Sequence, residues 1–246
     1  MVRVPADVTG NPVTRSDLLS DTERRTAAAF RVPGKSQRYV LGRELLRSIL
    51  GMALETEPAD VHIELGHNKR PQLTAPLADE ARQRFGLPLD FNLSSTPGRL
   101  ALGLVLGGRI GVDVEAPRPL DDLHEVARTV LAPEELSWMD AQQNPREAFY
   151  RLWTLKEAAA KAHGEGLGLP FRDLRLRPDE RGGLLANFDV LESDAERWSV
   201  LGLDASGPAA LAVHWDDGAP GAIDLEPALP PGIDLEAIST ETTARL

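Results

Sequence analysis

Phe149-Tyr150-Arg151-Leu152-Trp153-Thr154-Leu155-Lys156-Glu157-Ala158-Ala159-Ala160-Lys161 carries the strongest helical pattern in the chain, and the rest of the fold is read outward from it. Asn144 supplies an N-cap, Pro145 fits the first helical position, and Glu147 at the third completes a start of the capping-box kind. Gly164 is a C-terminal stop, so the spacing predicts a helix to about His163. Trp153, Glu157 and Lys161 recur every four residues and share one face, while Lys156 lies about 100° round from Glu157. That spacing is also what an ordinary Glu–Lys surface pair beside a core tryptophan shows, at a few tenths of a kcal/mol. A carboxylate with two lysines equally suits metal-assisted phosphoryl transfer.

Upstream, Leu100–Leu106 and Arg109–Glu115 flank Gly107-Gly108, which predicts a β-hairpin with a tight turn. Asp113 and Glu115, two apart on such a strand, project from one side. Like charges that close call for a cation such as Mg²⁺, which binds carboxylate and water oxygens and leaves room for phosphate. They also fit solvent-facing acids on an edge strand. Residues 18–30 read as a short charged helix, and Leu41, Leu45, Leu46 and Ile49 mark another over 38–50 ending at Gly51. Val61–Leu65 reads as a strand, after which Pro71, Pro76 and Pro88 predict no long element over 66–90. Leu123, Val126, Ala127 and Val130 mark a helix, and Pro133-Glu134-Glu135 begins the next.

Beyond the long helix, 174–176, 184–191, 198–203 and 209–215 read as strands of a second sheet. Residues 216–246 carry seven acids and one base, a composition expected of a weakly ordered tail. Helix then hairpin, followed by helices then strands, predicts an α+β protein of two similar α/β halves in a pseudo-two-fold arrangement, with the functional cleft between them. The expected boundaries are 1–110, 111–215 and the tail.

The chain has 246 residues, 42% hydrophobic and 26% charged, with a formal net charge of −11 and no cysteine. That composition supports a packed core. Thiolate metal sites and cysteine nucleophiles are excluded. Strong acidity argues against nucleic acid as partner, since no basic stripe is available to neutralise a phosphate backbone. No apolar run approaches the roughly 20 residues of a membrane span. The N-terminus lacks the apolar centre of a secretory signal, and a cytoplasmic monomer is expected.

Gly111-Val112-Asp113, followed by Trp153-Thr154-x-Lys156-Glu157-x-x-x-Lys161, resembles the 4′-phosphopantetheinyl transferases of the two-domain Sfp type. Arg38-Tyr39-x-x-Gly42-Arg43-x-x-Leu46-Arg47, Phe91-Asn92-Leu93-Ser94, the Glu134-Glu135 helix start and Gly164-Glu165-Gly166-Leu167 match in the same order, over about residues 18–215. The resemblance implies transfer of the phosphopantetheine arm of coenzyme A to a serine of an apo acyl or peptidyl carrier protein, releasing 3′,5′-ADP. The carrier would be an acidic domain of a polyketide, nonribosomal peptide, siderophore or fatty acid system. It further implies that Asp113, Glu115 and Glu157 hold Mg²⁺, with Mn²⁺ as a substitute. Lys156 and Lys161 would meet phosphate oxygens. Arg38, Arg70, Ser94 and Ser95 would contact the coenzyme. The serine proton would pass to Glu157 or to a water oriented by Glu135.

Two positions depart from the family pattern. Ser95 stands where the family has a phosphate-touching histidine, so weaker coenzyme binding is expected, or compensation by Arg99 or His67. Lys69-Arg70-Pro71 replaces Gly-Lys-Pro, which keeps a cation through Arg70 but loses the glycine. The competing readings are a non-catalytic coenzyme A or carrier binder, favoured by Ser95, and another Mg²⁺-dependent nucleotide enzyme. His62, His124, His163 and His214 lack metal-ligand spacing. Trp198 and Trp215 read as core, and Gly107-Gly108 as a turn and not a phosphate loop.

Overall fold

The computed structural model describes residues 2–3, 16–32, 34–164, 169–178, 184–187, 198–203 and 207–216. The expectations for the tail beyond 216, for 188–191 and for Glu165-Gly166-Leu167 lie outside the described residues. So does the side chain of His67.

In chain order the elements are β1 (Val2–Arg3), α1 (Asp21–Ala29), α2 (Lys35–Leu54), β2 (Ile63–Leu65), β3 (Pro71–Leu73), α3 (Ala75–Phe85), β4 (Leu89–Thr96), β5 (Arg99–Leu106) and β6 (Gly108–Val114). Then follow α4 (Leu123–Val130), α5 (Pro133–Asp140), α6 (Pro145–His163), β7 (Arg175–Pro178), β8 (Leu184–Asn187), β9 (Trp198–Gly202) and β10 (Ala209–Trp215). Two three-stranded antiparallel sheets, ordered β1-β5-β4 and β6-β10-β9, form the frame. α2 covers the first sheet and α6 the second. The architecture is mixed α+β, with each half built on one long helix over one small sheet.

α6 forms as its sequence predicts. The Asn144 side chain accepts the Glu147 amide at 3.2 Å, and Gly164, at φ 93°, closes the helix by donating its amide to Ala160. α6 buries Leu152, Leu155, Ala158, Ala159 and Ala162 against α4, α5 and β10. β6 alternates. Ile110, Val112 and Val114 pack with Ala101 and Val105 of β5 and Leu211 and Val213 of β10, while Gly111 and Asp113 take the opposite face, under α6. A Cβ on Gly111 would run into the Ala158 carbonyl oxygen and come within 2.6 Å of the Ala162 amide. Strand and helix therefore touch backbone to backbone, which only glycine permits.

Three expectations are corrected. Gly107-Gly108 does not turn a hairpin between β5 and β6: the chain crosses there from the first sheet into the second, because β5 pairs with β4 and β6 with β10. The hairpin is β4–β5, turned by Pro97-Gly98 with Gly98 at φ 76°, proline followed by a positive-φ glycine. Gly51 does not end its helix, which runs to Leu54 and stops at left-handed Glu55; a Cβ at Gly51 would lie 2.7 Å from the Thr56 carbonyl oxygen. Pro76 permits an 11-residue helix after all, since it sits in the first turn of α3, where a missing N–H costs nothing.

β4 and β6 are edge strands of different sheets lying side by side. No backbone ladder joins them. Instead, Asp90 Oδ2 accepts the Ile110 amide and Asn92 Oδ1 the Val112 amide, both at 2.9 Å. Two side chains thus satisfy a strand edge that would otherwise be open.

Gly111→Ala should be the most damaging glycine-to-alanine change among the described residues, because neither backbone can retreat alone. Urea unfolding should show a loss of about 3 kcal/mol, the upper range for overpacking; a variant as stable as the parent would contradict the close approach.

Candidate active site

Asp113 is buried on β6. Its Oδ1 accepts the Lys161 ammonium at 2.6 Å and the Ser94 hydroxyl at 2.9 Å. Lys161 uses its other protons on the Val112 carbonyl at 3.0 Å and on Ser94 Oγ at 3.3 Å. Asp113 Oδ2 is also buried, yet it has no hydrogen-bond partner among the described residues. A buried carboxylate oxygen left this way is destabilising unless something else meets it.

Glu115 and Glu157 stand half-buried beside it. Burial pushes the Glu115 carboxyl above the usual range and Asp113 adds repulsion, against relief from Lys161, Arg118 and a Trp153 hydrogen bond. Burial likewise raises Glu157; Lys161 opposes that, and Asp113 and Glu115 reinforce it. Among the described residues, no three His, Asp or Glu side chains converge at metal-ligating distance. A hard cation that keeps its waters and takes one or two carboxylates fits the orphaned Asp113 oxygen and relieves the crowded charge.

Lys156 and Glu135 do not join this corner. Lys156 has no exposed surface: its ammonium pairs with Glu135 Oε2 at 2.6 Å and donates to the Phe171 and Val130 carbonyls at 2.7 and 3.0 Å. Glu135, 1% exposed, also accepts the Ala132 amide at 2.6 Å and the Leu176 amide at 2.7 Å. Burial pulls the Lys156 pKa down, while Glu135 resists that shift. The expectation that Lys156 meets phosphate and Glu135 orients a water is corrected: both ions are enclosed and spend their hydrogen bonds tying α5, α6 and β7 together. Removing one partner of such a pair costs about 3–5 kcal/mol.

The coenzyme contacts expected from sequence also divide. Arg38 and Ser95 line a cleft of about 230 Å³ between α2 and β4, with Lys35, Tyr39, Arg43 and Phe30. The Phe30 and Tyr39 rings lie 5.5 Å apart, with Lys35 Nζ 5.1 Å from the first and the Arg43 guanidinium 5.2 Å from the second. Arg43 Nη1 is buried and lacks a hydrogen-bond partner among the described residues. Three cations and two rings suit an anionic, aromatic ligand. Ser94, one residue from Ser95 on the strand, belongs to the Asp113 corner instead. Arg99 does not compensate for Ser95: it is buried and donates to the carbonyls of Glu115, Pro208 and Gly207.

Residues 109–213 match the 4′-phosphopantetheinyl transferase superfamily. The 4′-phosphopantetheinyl transferase HetI of Nostoc sp. (strain PCC 7120) is 32% identical over 200 residues, covering 79% of this chain and 78% of that protein. The chain belongs to the 4′-phosphopantetheinyl transferase superfamily. The 4′-phosphopantetheinyl transferase AcpT of Salmonella typhi is 30% identical, covering 68% of this chain and 66% of that one. Sfp of Bacillus subtilis (strain 168) is 25% identical over 67% of this chain and 69% of its own length. Among solved structures, a holo-(acyl-carrier-protein) synthase of Bacillus anthracis in complex with CoA (3′,5′-ADP) aligns with TM-score 0.37 at 22% identity, covering 44% of this chain and 96% of that one.

For a phosphopantetheinyl transferase, the sequence left two cleft residues unread. Lys35 and Phe30 precede the quoted α2 motif. A signal existed, since Lys35, Tyr39 and Arg43 recur every four residues and Arg38 lies three from Lys35, a basic and aromatic stripe on one helix face.

Raised carboxyl pKa values mean that the stability of Glu115 and Glu157 is fully present below the usual carboxylate range and is lost as pH rises through the folded values. Without divalent cation, Glu157→Gln should therefore melt above the parent at pH 7, with the gap closing near pH 4. Equal melting at pH 7 would contradict the charge crowding.

Proposed function

We propose that the protein transfers the 4′-phosphopantetheine arm of coenzyme A to a serine of an apo acyl or peptidyl carrier protein, with Mg²⁺, releasing 3′,5′-ADP. The observation that carries this reading is adjacency. Ser95 lines the basic cleft and Ser94, on the other face of the same edge strand, hydrogen-bonds Asp113, so only the edge of β4 lies between an anion-binding cleft and an acidic, cation-demanding corner. A ligand with a phosphorylated nucleoside at one end and a diphosphate further along fits both.

In this reading Lys35, Arg38 and Arg43 take the phosphate of the adenosine end between them. Ser95 adds one neutral hydrogen bond, and the charge of the family histidine is supplied by α2. Asp113, with Glu115 and Glu157, would hold Mg²⁺. When bound, the ion supplies charge neutralisation at the diphosphate. The serine oxygen bonds to the β-phosphorus while the bridging bond to the α-phosphate breaks, its electrons leaving with 3′,5′-ADP. Glu157 takes the serine proton, since it stands beside Asp113 at the acidic corner whereas Glu135 is enclosed with Lys156. Lys161, a quarter exposed beside Asp113, neutralises charge gathering on the leaving phosphate. The residues need only position and neutralise, with no covalent enzyme intermediate.

Incubation with an apo peptidyl carrier domain, coenzyme A and Mg²⁺ should add one phosphopantetheine to the carrier by intact mass, and Asp113→Asn should abolish the gain while folding normally. Coenzyme A binding without any gain on several unrelated carriers would contradict transfer and favour the non-catalytic binder to which Ser95 points.

A further inference from the structure

Arg70, expected to meet the coenzyme, is committed elsewhere. Its guanidinium donates to Asp90 Oδ2 at 2.6 Å, the Phe91 carbonyl at 3.0 Å, the Ile110 carbonyl at 2.7 Å and the Lys161 carbonyl at 2.6 Å. Those acceptors belong to β4, β6 and α6, so one side chain joins both sheets to the helix that carries Lys161. The same Asp90 oxygen receives the Ile110 amide, which makes Arg70 and Asp90 one unit across the seam. The turn that delivers Arg70 is unusual: Asn68 and Lys69 both adopt left-handed backbone, at φ 53° and 58°. Residues other than glycine rarely do so twice in succession. Asn68 Nδ2 secures that turn by donating to the Gly164 carbonyl at 2.8 Å, and the Arg70 carbonyl accepts the Gly66 amide at the same distance. Held strain of this kind marks a position the surroundings over-determine. Asn68 and the Arg70 guanidinium thus both donate to carbonyls at the C-terminal end of α6, where the positive charge of Arg70 is favoured.

We propose that Arg70, with Asp90, is a positioning residue for the transfer reaction. It sets the end of α6, and with it Lys161 and Asp113, against the basic cleft of the other sheet; this rests on the function proposed above. A phosphate at Arg70 would have to displace an aspartate and three carbonyls from a planar donor that matches them.

The test is Arg70→Met, with Asp90→Asn as a milder second variant that keeps an acceptor for Ile110. Affinity for adenosine 3′-phosphate, which lacks the diphosphate and so probes the cleft alone, should stay within about twofold of the parent, whereas kcat for carrier modification should fall roughly tenfold to a hundredfold, as misplacement of a reacting group does. The double variant should be no slower than Arg70→Met, since both changes break one unit. Weakened adenosine 3′-phosphate binding with kcat retained would overturn the proposal and make Arg70 a coenzyme contact. Hydrogen exchange reads the same link without turnover: Arg70→Met should speed exchange at the Ile110 and Val112 amides. Unchanged exchange there overturns the proposal even if the parent transfers normally, and faster exchange in Arg70→Met, when the parent itself does not transfer, upholds the link while removing the function it serves.

Discussion

The backbone contact between β6 and α6 at Gly111 is the constraint on which the site depends. Because strand and helix meet with no side chain between them, residues one pleat or one turn away fall within ion-pairing reach. Asp113 follows Gly111 on the same strand face, and Lys161 adjoins Ala162 on the helix, so their 2.6 Å pair follows from the close approach. Glu157 lies one turn back along α6. A bulkier residue at 111 would separate Asp113 and Glu115 from Glu157 and Lys161 before any ligand arrived.

The second constraint is the seam. Two small sheets, each with an unpaired edge, would be liable to slip past one another or pair with other chains. Asp90 and Asn92 close the edges through their side chains, and Arg70 fastens that closure to α6. Asn92 thereby gains a structural reason within Phe91-Asn92-Leu93-Ser94: it fixes β6 relative to β4, and so brings the Asp113 corner next to the cleft lined by Ser95.

Charge is divided between structure and site. Lys156 and Arg70 are spent internally, one inside the second half and one across the seam, while Lys35, Arg38 and Arg43 face the cleft. The carboxylates follow the same division. Glu135 is enclosed with its lysine, whereas Asp113, Glu115 and Glu157 remain together with one oxygen unpartnered and two pKa values raised. This crowding is what the cation of the proposed reaction would relieve.

Much of this was legible in sequence, and the failures have physical causes. The caps of α6, the strand face of Asp113 and the four-residue spacing of Glu157 and Lys161 are local and periodic, so the chain alone reveals them. The destination of a cation is not local: Lys156 sits beside Glu157 in sequence, yet 100° of helical rotation sends it into the core. Arg70 occupies a loop whose left-handed turn no propensity predicts. Gly107-Gly108 has the composition of a hairpin, but strand pairing is decided by partners distant in the chain, here β4 and β10. The central claim is that acidic corner and basic cleft form one site. A crystal structure with coenzyme A and Mn²⁺, located by anomalous scattering, tests it most directly. The account predicts the metal against Asp113 Oδ2 and a phosphate among Lys35, Arg38 and Arg43 of the same molecule. Metal away from Asp113, or a phosphate held by Arg70 or Lys156, would contradict it.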